Sequence, residues 1–592
     1  MSFIGISCYY HDSSAALITE EGEILAAVEE ERFTRKKHDN SFPFHAINYC
    51  LDIANNKKDF VTAYIYYEKP IRLFMRIVET CIKSSPRGFT FFHASMKEWL
   101  TKKLFISNDL KNNLSLLDDN FIKKNLFYSS HHTSHASSAF YPSKFKEAAI
   151  LCIDGVGEWS TSSAWIGKEN KITNIWEINF PHSIGLLYAS FTFYCGFKIN
   201  SGEYKLMGLA PYGRPLYYEK ILSNLIDLKE DGSFKLNMKF FKYHRSLKMI
   251  SNNFYNLFGK KERKKEEKID QFHMDIAASI QKVIETILIK IANNLYEITK
   301  KKNLCLSGGV SLNCVANRKL LNETKFENIW VQPASGDSGS SLGAAFSYLY
   351  LKMNKKRIIK KDDSMKSGYL GPEFSDNQII NFLEKNSIRY EKFDYFDLNK
   401  IIANEISKGK IIGWFQGRME FGPRALGNRS IIADPRNPKM KEILNSRIKA
   451  RESFRPFAPA VLDEYKIDLF NLNEECPYML ITVDKINLET EKLIPSVVHV
   501  DQSARVQTVK KERNQKFYNL IEAFKKITDC PVLINTSFNV RGEPIVCTPE
   551  DAFKCFLYAD LDYLVLNSFL ISKEKCSINL LKNFINYNFI ED

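Results

Sequence analysis

A strand-turn-strand pattern that occurs twice in the first 180 residues is the strongest constraint on the fold of this chain. The first copy runs FIGISCYY, a polar turn HDSS, AALIT, a turn at Glu21-Gly22, and EILAAVEE. The second runs AAILCID, GVGEWSTSS, AWIG, a turn, and ITNIWEI over residues 148–178. Their shared kernel is Ser14-Ala15-Ala16-Leu17-Ile18 against Ser163-Ala164-Trp165-Ile166. Apolar runs broken by short polar turns form antiparallel hairpins. A repeated hairpin therefore predicts two related lobes, each with its polar tip facing the other. A cleft between such lobes is a natural site for a nucleotide.

Further along, Ile276, Ile280, Val283, Ile284, Ile287, Leu288, Ile291 and Leu295 recur every three or four residues and predict a long helix over 273–299. It leads into NLCLSGGVSLNCVANRKLL, read as strand, glycine turn and helix, and then into a second small-residue loop, VQPASGDSGSSLGAA. Such turns can set backbone N–H groups against a phosphate at a helix N-terminus. The polar stretch NKKRIIKKDD marks a domain boundary. The expected domains are 1–355 and 367–592, joined by a linker at 356–366. A chain of 592 residues exceeds what one core supports.

Net charge is +14, much of it lysine in segments 81–125 and 228–271, which read as insertions on the first domain. Lysine diluted by Asn and Ile predicts solvated loops instead of a nucleic-acid interface. The 12 cysteines show no CxxC spacing, which predicts a reducing, cytoplasmic setting. The N-terminus lacks the pattern of a signal peptide, and no apolar run reaches the roughly 20 residues of a membrane span.

Two constellations carry chemistry. In residues 411–460, Arg418, Arg424, Arg429, Arg436, Arg447, Lys449, Arg451 and Arg455 lie among Trp414, Phe415, Phe421, Phe454 and Phe457. Guanidinium forks match phosphate and carboxylate oxygens, so this mixture predicts a partly buried anion pocket. In SSHHTSHASSAFYPS, His131 and His135 fall on one helical face, with His132 beside them. Asp154 and Asp337, at the ends of strand-like runs, are candidates to complete a His/His/carboxylate site. That donor set suits Fe(II), and also Mn(II) or Zn(II). His11, at the first hairpin tip, is a candidate general base.

The motifs HDSSAALI, HHTSHASSAFYPS, IDGVGE, GEYKLMGLAPYG, LSGGVSLN, SGDSGSSLGAA, MEFGPRALGNRSIIADPR, FRPFAP and LINTSFNVRGEPIV occur in order along nearly the whole chain. Together they resemble the O-carbamoyltransferase family, which includes nodulation-factor and antibiotic-tailoring enzymes. The lysine-rich insertions depart from that pattern. The resemblance implies α/β and α+β architecture, with a duplicated actin-like ATPase-fold N-terminal domain and a YrdC-like C-terminal domain. It implies that carbamoyl phosphate and ATP, with Mg, give a carbamoyl-adenylate, whose carbamoyl group then passes to a hydroxyl of a sugar or natural product. By the same resemblance, Lys449, Arg424, Arg418, Arg455 and Arg505 hold phosphates, and Asn535 and Ser537 add polar contacts. Lys205, Gly308, Gly309 and Asn313 surround the nucleotide. His131, His135, Asp154 and Asp337 bind the metal, and His11 deprotonates the acceptor. The expected partner is a small-molecule or glycan acceptor, with no nucleic acid or membrane, in a chain able to form a homodimer. The alternatives are a tRNA threonylcarbamoyl-type enzyme and an actin-like-fold phosphotransferase.

Overall fold

The computed structural model describes residues 1–85, 88, 92–93, 95–97, 103–121, 124–265 and 267–576. Parts of the 81–125 insertion and the end of the expected second domain lie outside them. The chain divides into two compact units. The first comprises Met1–Glu30 and Asn40–Ser364, and the second Glu31–Asp39 and Met365–Asp592. The sequence reading assigned 31–39 to the first domain, and the structure places that segment with the second. There Arg35 donates to the carbonyls of Ile545 at 2.7 Å and Pro544 at 2.8 Å, and Arg32 to that of Gly422 at 2.8 Å.

The first unit contains the duplication. One sheet has the order Ile24–Glu29, Ser14–Thr19, Ser2–Ser7, Val61–Tyr66, Asn125–Tyr128. The other has Lys171–Asn179, Ser160–Lys168, Glu147–Ile153, Asn303–Ser307, Asn328–Val331. In both, the first three strands form an antiparallel meander and the last two run parallel to the central strand. This shared order is the duplicated, actin-like α/β architecture. The kernels Ser14–Ile18 and Ser163–Ile166 occupy the equivalent second strand of each meander. The central strand Ser2–Ser7 is fully buried and Glu147–Ile153 is buried after its first residue, as expected where helices cover a sheet.

Two helices, His131–Phe140 and Asp337–Ser347, are buried along almost their whole length. Small residues let them approach closely. A Cβ on Gly343 would lie 1.8 Å from the carbonyl oxygen of Ser134. Only glycine is compatible with that spacing. The 29-residue helix Gln271–Thr299 buries every apolar position of the sequence pattern, and Asp270 caps its start.

The 228–271 insertion is packed, not loose. Phe254 and Phe258 set their rings against Phe191 at 5.2 and 5.9 Å. Arg263, inside the lysine run, is buried and donates from Nε to Cys195 O at 2.8 Å.

The second unit is α+β. Its eight-stranded mixed sheet has the order Glu391–Lys392, Phe569–Ser572, Tyr563–Leu566, Ile412–Phe415, Arg429–Ala433, Val532–Ser537, Ala458–Leu462, Gln507–Val509. Helices Tyr395–Ser407 and Gln515–Thr528 pack on it through buried Leu398, Ile402, Ile406, Phe517, Leu520 and Phe524. Among the described residues, no helix is long and apolar enough to cross a membrane.

Candidate metal centre and cation loop

The helix His131–Phe140 presents two of its three histidines, His131 and His135, one turn apart, to two carboxylates that arrive from elsewhere in the first unit. Asp154 follows the buried strand Glu147–Ile153, and Asp337 opens the helix Asp337–Ser347. One ligand atom from each of the four lies within 4.8 Å of the others. His131 Nε2 is 3.1 Å from His135 Nε2 and 3.3 Å from Asp154 Oδ2. Asp337 Oδ1 is 3.6 Å from both imidazole Nε2 atoms. Asp337 is 0% exposed, yet neither of its carboxylate oxygens accepts a hydrogen bond. A buried carboxylate without a hydrogen bond is costly unless a cation supplies the missing charge. Two imidazole nitrogens facing each other at hydrogen-bond distance, beside two carboxylates, fit a dication of the Fe(II), Mn(II) or Zn(II) type.

The surroundings orient these donors. His135 Nδ1 faces Ser307 Oγ at 3.3 Å and Ser340 Oγ at 3.2 Å. His131 Nδ1 lies 3.8 Å from Glu68, and its backbone N–H donates to Glu158 at 3.2 Å. Such outer contacts fix the tautomer that ligates. His132 stands apart, with Nδ1 2.6 Å from Ser163 Oγ, and burial and its two histidine neighbours hold it neutral. Burial opposes charge on His131 too, but Asp337 and Asp154 outweigh it and raise its affinity for a proton. Asp154 is driven the other way, its burial overcome by His131 and His135.

His11 adjoins this cluster. Its Nδ1 is 2.9 Å from Asp12 Oδ2 and its Nε2 is 3.7 Å from Asp337 Oδ2. Burial disfavours the imidazolium, but Asp337 and then Asp12 override it and push His11 up to about 10. The sequence reading expected a neutral base near pH 7. In the metal-free protein the carboxylate field keeps the proton on His11 instead.

The glycine turn meets the same cluster. Gly309 N donates to Asp154 Oδ1 at 3.1 Å. Gly308 has φ +89°, and a Cβ there would lie 2.3 Å from Ile153 O. Asn313 caps the helix Cys314–Glu323 through Ala316 N, and its amide pairs with Gln281, which also accepts from Tyr188. Lys205 lies on the short helix Glu203–Leu209 of the same unit.

In the second unit, Lys449 is 3% exposed. Its Nζ donates to Ser537 O, to Asn539 O at 2.8 Å and to Asn539 Oδ1 at 2.9 Å. Ser537 Oγ in turn donates to Asn539 Oδ1 at 2.7 Å. Burial first, then Arg451, holds the Lys449 ammonium well below the usual lysine range. Burial first, then Arg455, does the same for Arg451. Asn535 is tied to Gln507 Oε1 at 2.7 Å. Arg424 is half-buried in the turn after Phe421, and Arg505 sits on the two-residue strand Ala504–Arg505.

Four cations of the sequence series are engaged by the protein itself. Arg429 is fully buried and donates to the carbonyls of Gln416, Asn428, Pro372 and Gly417. Arg436 chelates Asp434, and Arg447 pairs with Asp560 at 2.7 Å. Arg418 donates to Gly371 O at 3.1 Å and to Leu370 O. Lys449, Arg451 and Arg455 by the Ser537–Asn539 loop remain candidates for an anion, with Arg505 close enough to Arg451 to act on its charge. Arg451 Nε also donates to Asn445 Oδ1 at 2.7 Å, and Arg455 lies 3.9 Å from Glu452. The reading from sequence missed Asn539, Glu68 and Glu158. Glu68 could have been flagged as a charge closing the apolar strand Val61–Tyr66, and Asn539 as the second asparagine of NTSFN.

Family profiles described as carbamoyltransferase N-terminus and carbamoyltransferase C-terminus match residues 2–346 and 403–573. The chain belongs to the carbamoyltransferase family. An uncharacterized protein of Synechocystis sp. is 51% identical over 96% of this chain and 96% of its own length. Nodulation protein NolNO of Sinorhizobium fredii is 35% identical over 96% of this chain and 80% of its own. Nodulation protein NolO of Bradyrhizobium diazoefficiens is 36% identical over 76% and 79%. Among solved structures, full-length HypF in its phosphate- and nucleotide-bound form aligns with TM-score 0.33 and 11% identity, over 59% of this chain and 55% of that one.

Proposed function

We propose that this carbamoyltransferase is an ATP-dependent O-carbamoyltransferase that makes a carbamoyl-adenylate from carbamoyl phosphate and transfers its carbamoyl group to a hydroxyl of a sugar or natural product. The convergence of His131, His135, Asp154 and Asp337 beside His11 is the observation that carries this reading. In the second unit, which resembles YrdC-like domains, water releases phosphate from carbamoyl phosphate. A carbamate oxygen then attacks the α-phosphorus of MgATP and pyrophosphate departs. Lys449, Arg451 and Arg455 regain full charge against those phosphates, and Arg424 and Arg505 add to the set. Ser537, Asn539 and Asn535 orient the polar ends.

In the first unit, the acceptor oxygen attacks the carbamoyl carbon and AMP leaves. His131, His135, Asp154 and Asp337 would hold the dication, Fe(II) foremost, which would polarise the carbonyl and lower the hydroxyl pKa. His11 takes the hydroxyl proton once Asp337 and Asp154 are neutralised and no longer hold its own. Gly308, Gly309, Lys205 and Asn313 frame the nucleotide end.

The test is pyrophosphate release from ATP with and without carbamoyl phosphate, followed by mass spectrometry of acceptor pools for a carbamoyl gain. Release of pyrophosphate independent of carbamoyl phosphate, or phosphoryl gain instead of carbamoyl, refutes the reading.

A further inference from the structure

The two lysine-rich insertions, which depart from the family pattern, meet at a cavity of 480 Å³ in the first unit. That volume suits a small organic ligand. Thr80 and Lys83 form one wall, His244 and Arg245 another, and Trp159 and Phe180 a third. The wall from the 228–271 insertion is fixed in place. Tyr243 donates to Pro181 O at 2.7 Å, and His182 Nδ1 accepts from Leu236 N at 3.1 Å.

One hairpin tip links this cavity to the metal cluster. It begins at Asp154 and ends at Trp159. Between them Gly157 lies so close to His131 that a Cβ would approach its Cδ2 to 2.8 Å. Arg76 donates to Gly157 O on the other side and places its guanidinium 5.3 Å from the Phe180 ring centroid. Glu158 accepts from both His131 N and Lys69 N. Trp159 lies five positions after Asp154, so ligand and cavity wall are at most about 17 Å apart along a fully extended chain.

The lining has a definite chemistry. Among the described residues no carboxylate belongs to it. Lys83 is exposed and already paired with Glu79 at 2.5 Å. Arg245 has no ion-pair partner among the described residues. His244 is neutral, since burial first and then Arg245 lower it to about 4. Its Nδ1 is buried without a hydrogen bond. An occupant therefore needs an anionic group for the guanidinium fork, a polar atom for His244, and a flat C–H face for the two aromatic rings.

We propose that this cavity binds the carbamoyl acceptor, and that the acceptor is an acidic sugar whose phosphate or carboxylate sits on Arg245 and whose ring lies against Trp159 and Phe180. The assignment of the occupant as acceptor rests on the carbamoyl-transfer reading. Binding energy gathered at the acidic group, away from the reacting hydroxyl, is available to orient that hydroxyl.

Saturation-transfer NMR on the full chain with glucose, glucose 1-phosphate, glucuronate and glucosamine tests it. At least one acidic sugar should bind about tenfold or more tighter than glucose, as a charge-assisted contact implies. Preference for glucose 1-phosphate over glucuronate assigns phosphate, and the reverse assigns carboxylate. Glucosamine should bind weakest. Arg245→Ala should reduce the acidic sugars to the level of glucose, and Trp159→Ala should weaken all four. Equal binding of glucosamine and the acidic sugars by the parent protein overturns the proposal. So does an acid preference that survives Arg245→Ala, or no binding of either acidic sugar. Pyrophosphate release from ATP and carbamoyl phosphate, measured without sugar on the same preparation, separately tests the transfer reading. Its absence would remove that reading and leave the sugar-binding result standing.

Discussion

The metal cluster and the cation loop are opposite solutions to one problem. Around His131 and Asp337 the protein buries an excess of carboxylate, and the imidazoles are drawn toward protonation. Around Lys449 it buries an excess of cation, and the ammonium is drawn toward neutrality. Each region is held out of its ordinary charge state by burial without a full complement of opposite charge. The first has the donors for a cation and the second the charge for an anion. The difference lets one chain offer two sites whose ligands would not compete.

That contrast breaks most visibly at the metal ligands. His131→Ala with His135→Ala should leave the protein without bound metal by elemental analysis and without transfer activity. The fall should exceed the about 10²–10⁴ that a general base alone supplies. Pyrophosphate release should persist, and its loss would show that the two regions are not independent.

Lys449→Ala strikes the opposite site. It should lower carbamoyl phosphate-dependent pyrophosphate release by about 10²–10³, with metal content intact. In the parent protein, pyrophosphate should raise Tm, by about 2.7 kcal/mol of stability at a hundredfold excess over Kd. A Tm response of the same size in the variant would place the anion elsewhere.

A smaller effect sharpens the electrostatic half of the comparison. His11 has a raised pKa, so its stabilising contribution is complete below pH 6.5 and is lost as pH climbs toward 10. Metal-free parent protein should lose stability across that window in denaturant titrations, at up to about 1.4 kcal/mol per pKa unit. His11→Asn should flatten the slope, and so should saturating metal. An unchanged slope in the variant would mean that the Asp337 field is not felt at His11.

The smallest expected effect lies outside both charge systems. Asn313→Ala removes a helix cap and the Gln281 pairing, and should destabilise the first unit by about 1 kcal/mol. Metal content and pyrophosphate release should stay at parent levels, and carbamoyl transfer, whose nucleotide end Asn313 frames, should slow.

These sites differ in how much of them the sequence displays. Histidines four apart on a helix, and aspartates closing apolar runs, declare a metal cluster because local geometry alone brings the pairs together. The duplicated hairpins are legible for the same reason. A cation series is different, since nothing in MEFGPRALGNRSIIADPR tells which guanidinium the protein consumes. Arg429 is taken by carbonyls from Pro372 to Asn428, a choice made only by the tertiary fold. The packing of the 228–271 insertion was not legible in its lysines, which outnumber its aromatic anchors and nearly all lie exposed. The spacing of Phe254 and Phe258, one helical turn apart, was the signal that it packs.

The path of the chain through its two units has a consequence for anyone who would take the protein apart. A gene cut after Ser364 would leave Glu31–Asp39 on the wrong fragment. The downstream piece would then lack the guanidinium groups that answer the carbonyls of Gly422, Pro544 and Ile545. The upstream piece would carry an orphaned arginine-rich loop. Each unit thus draws on two separated stretches of the chain, and no single scission, with or without joined termini, leaves both units with all of their residues.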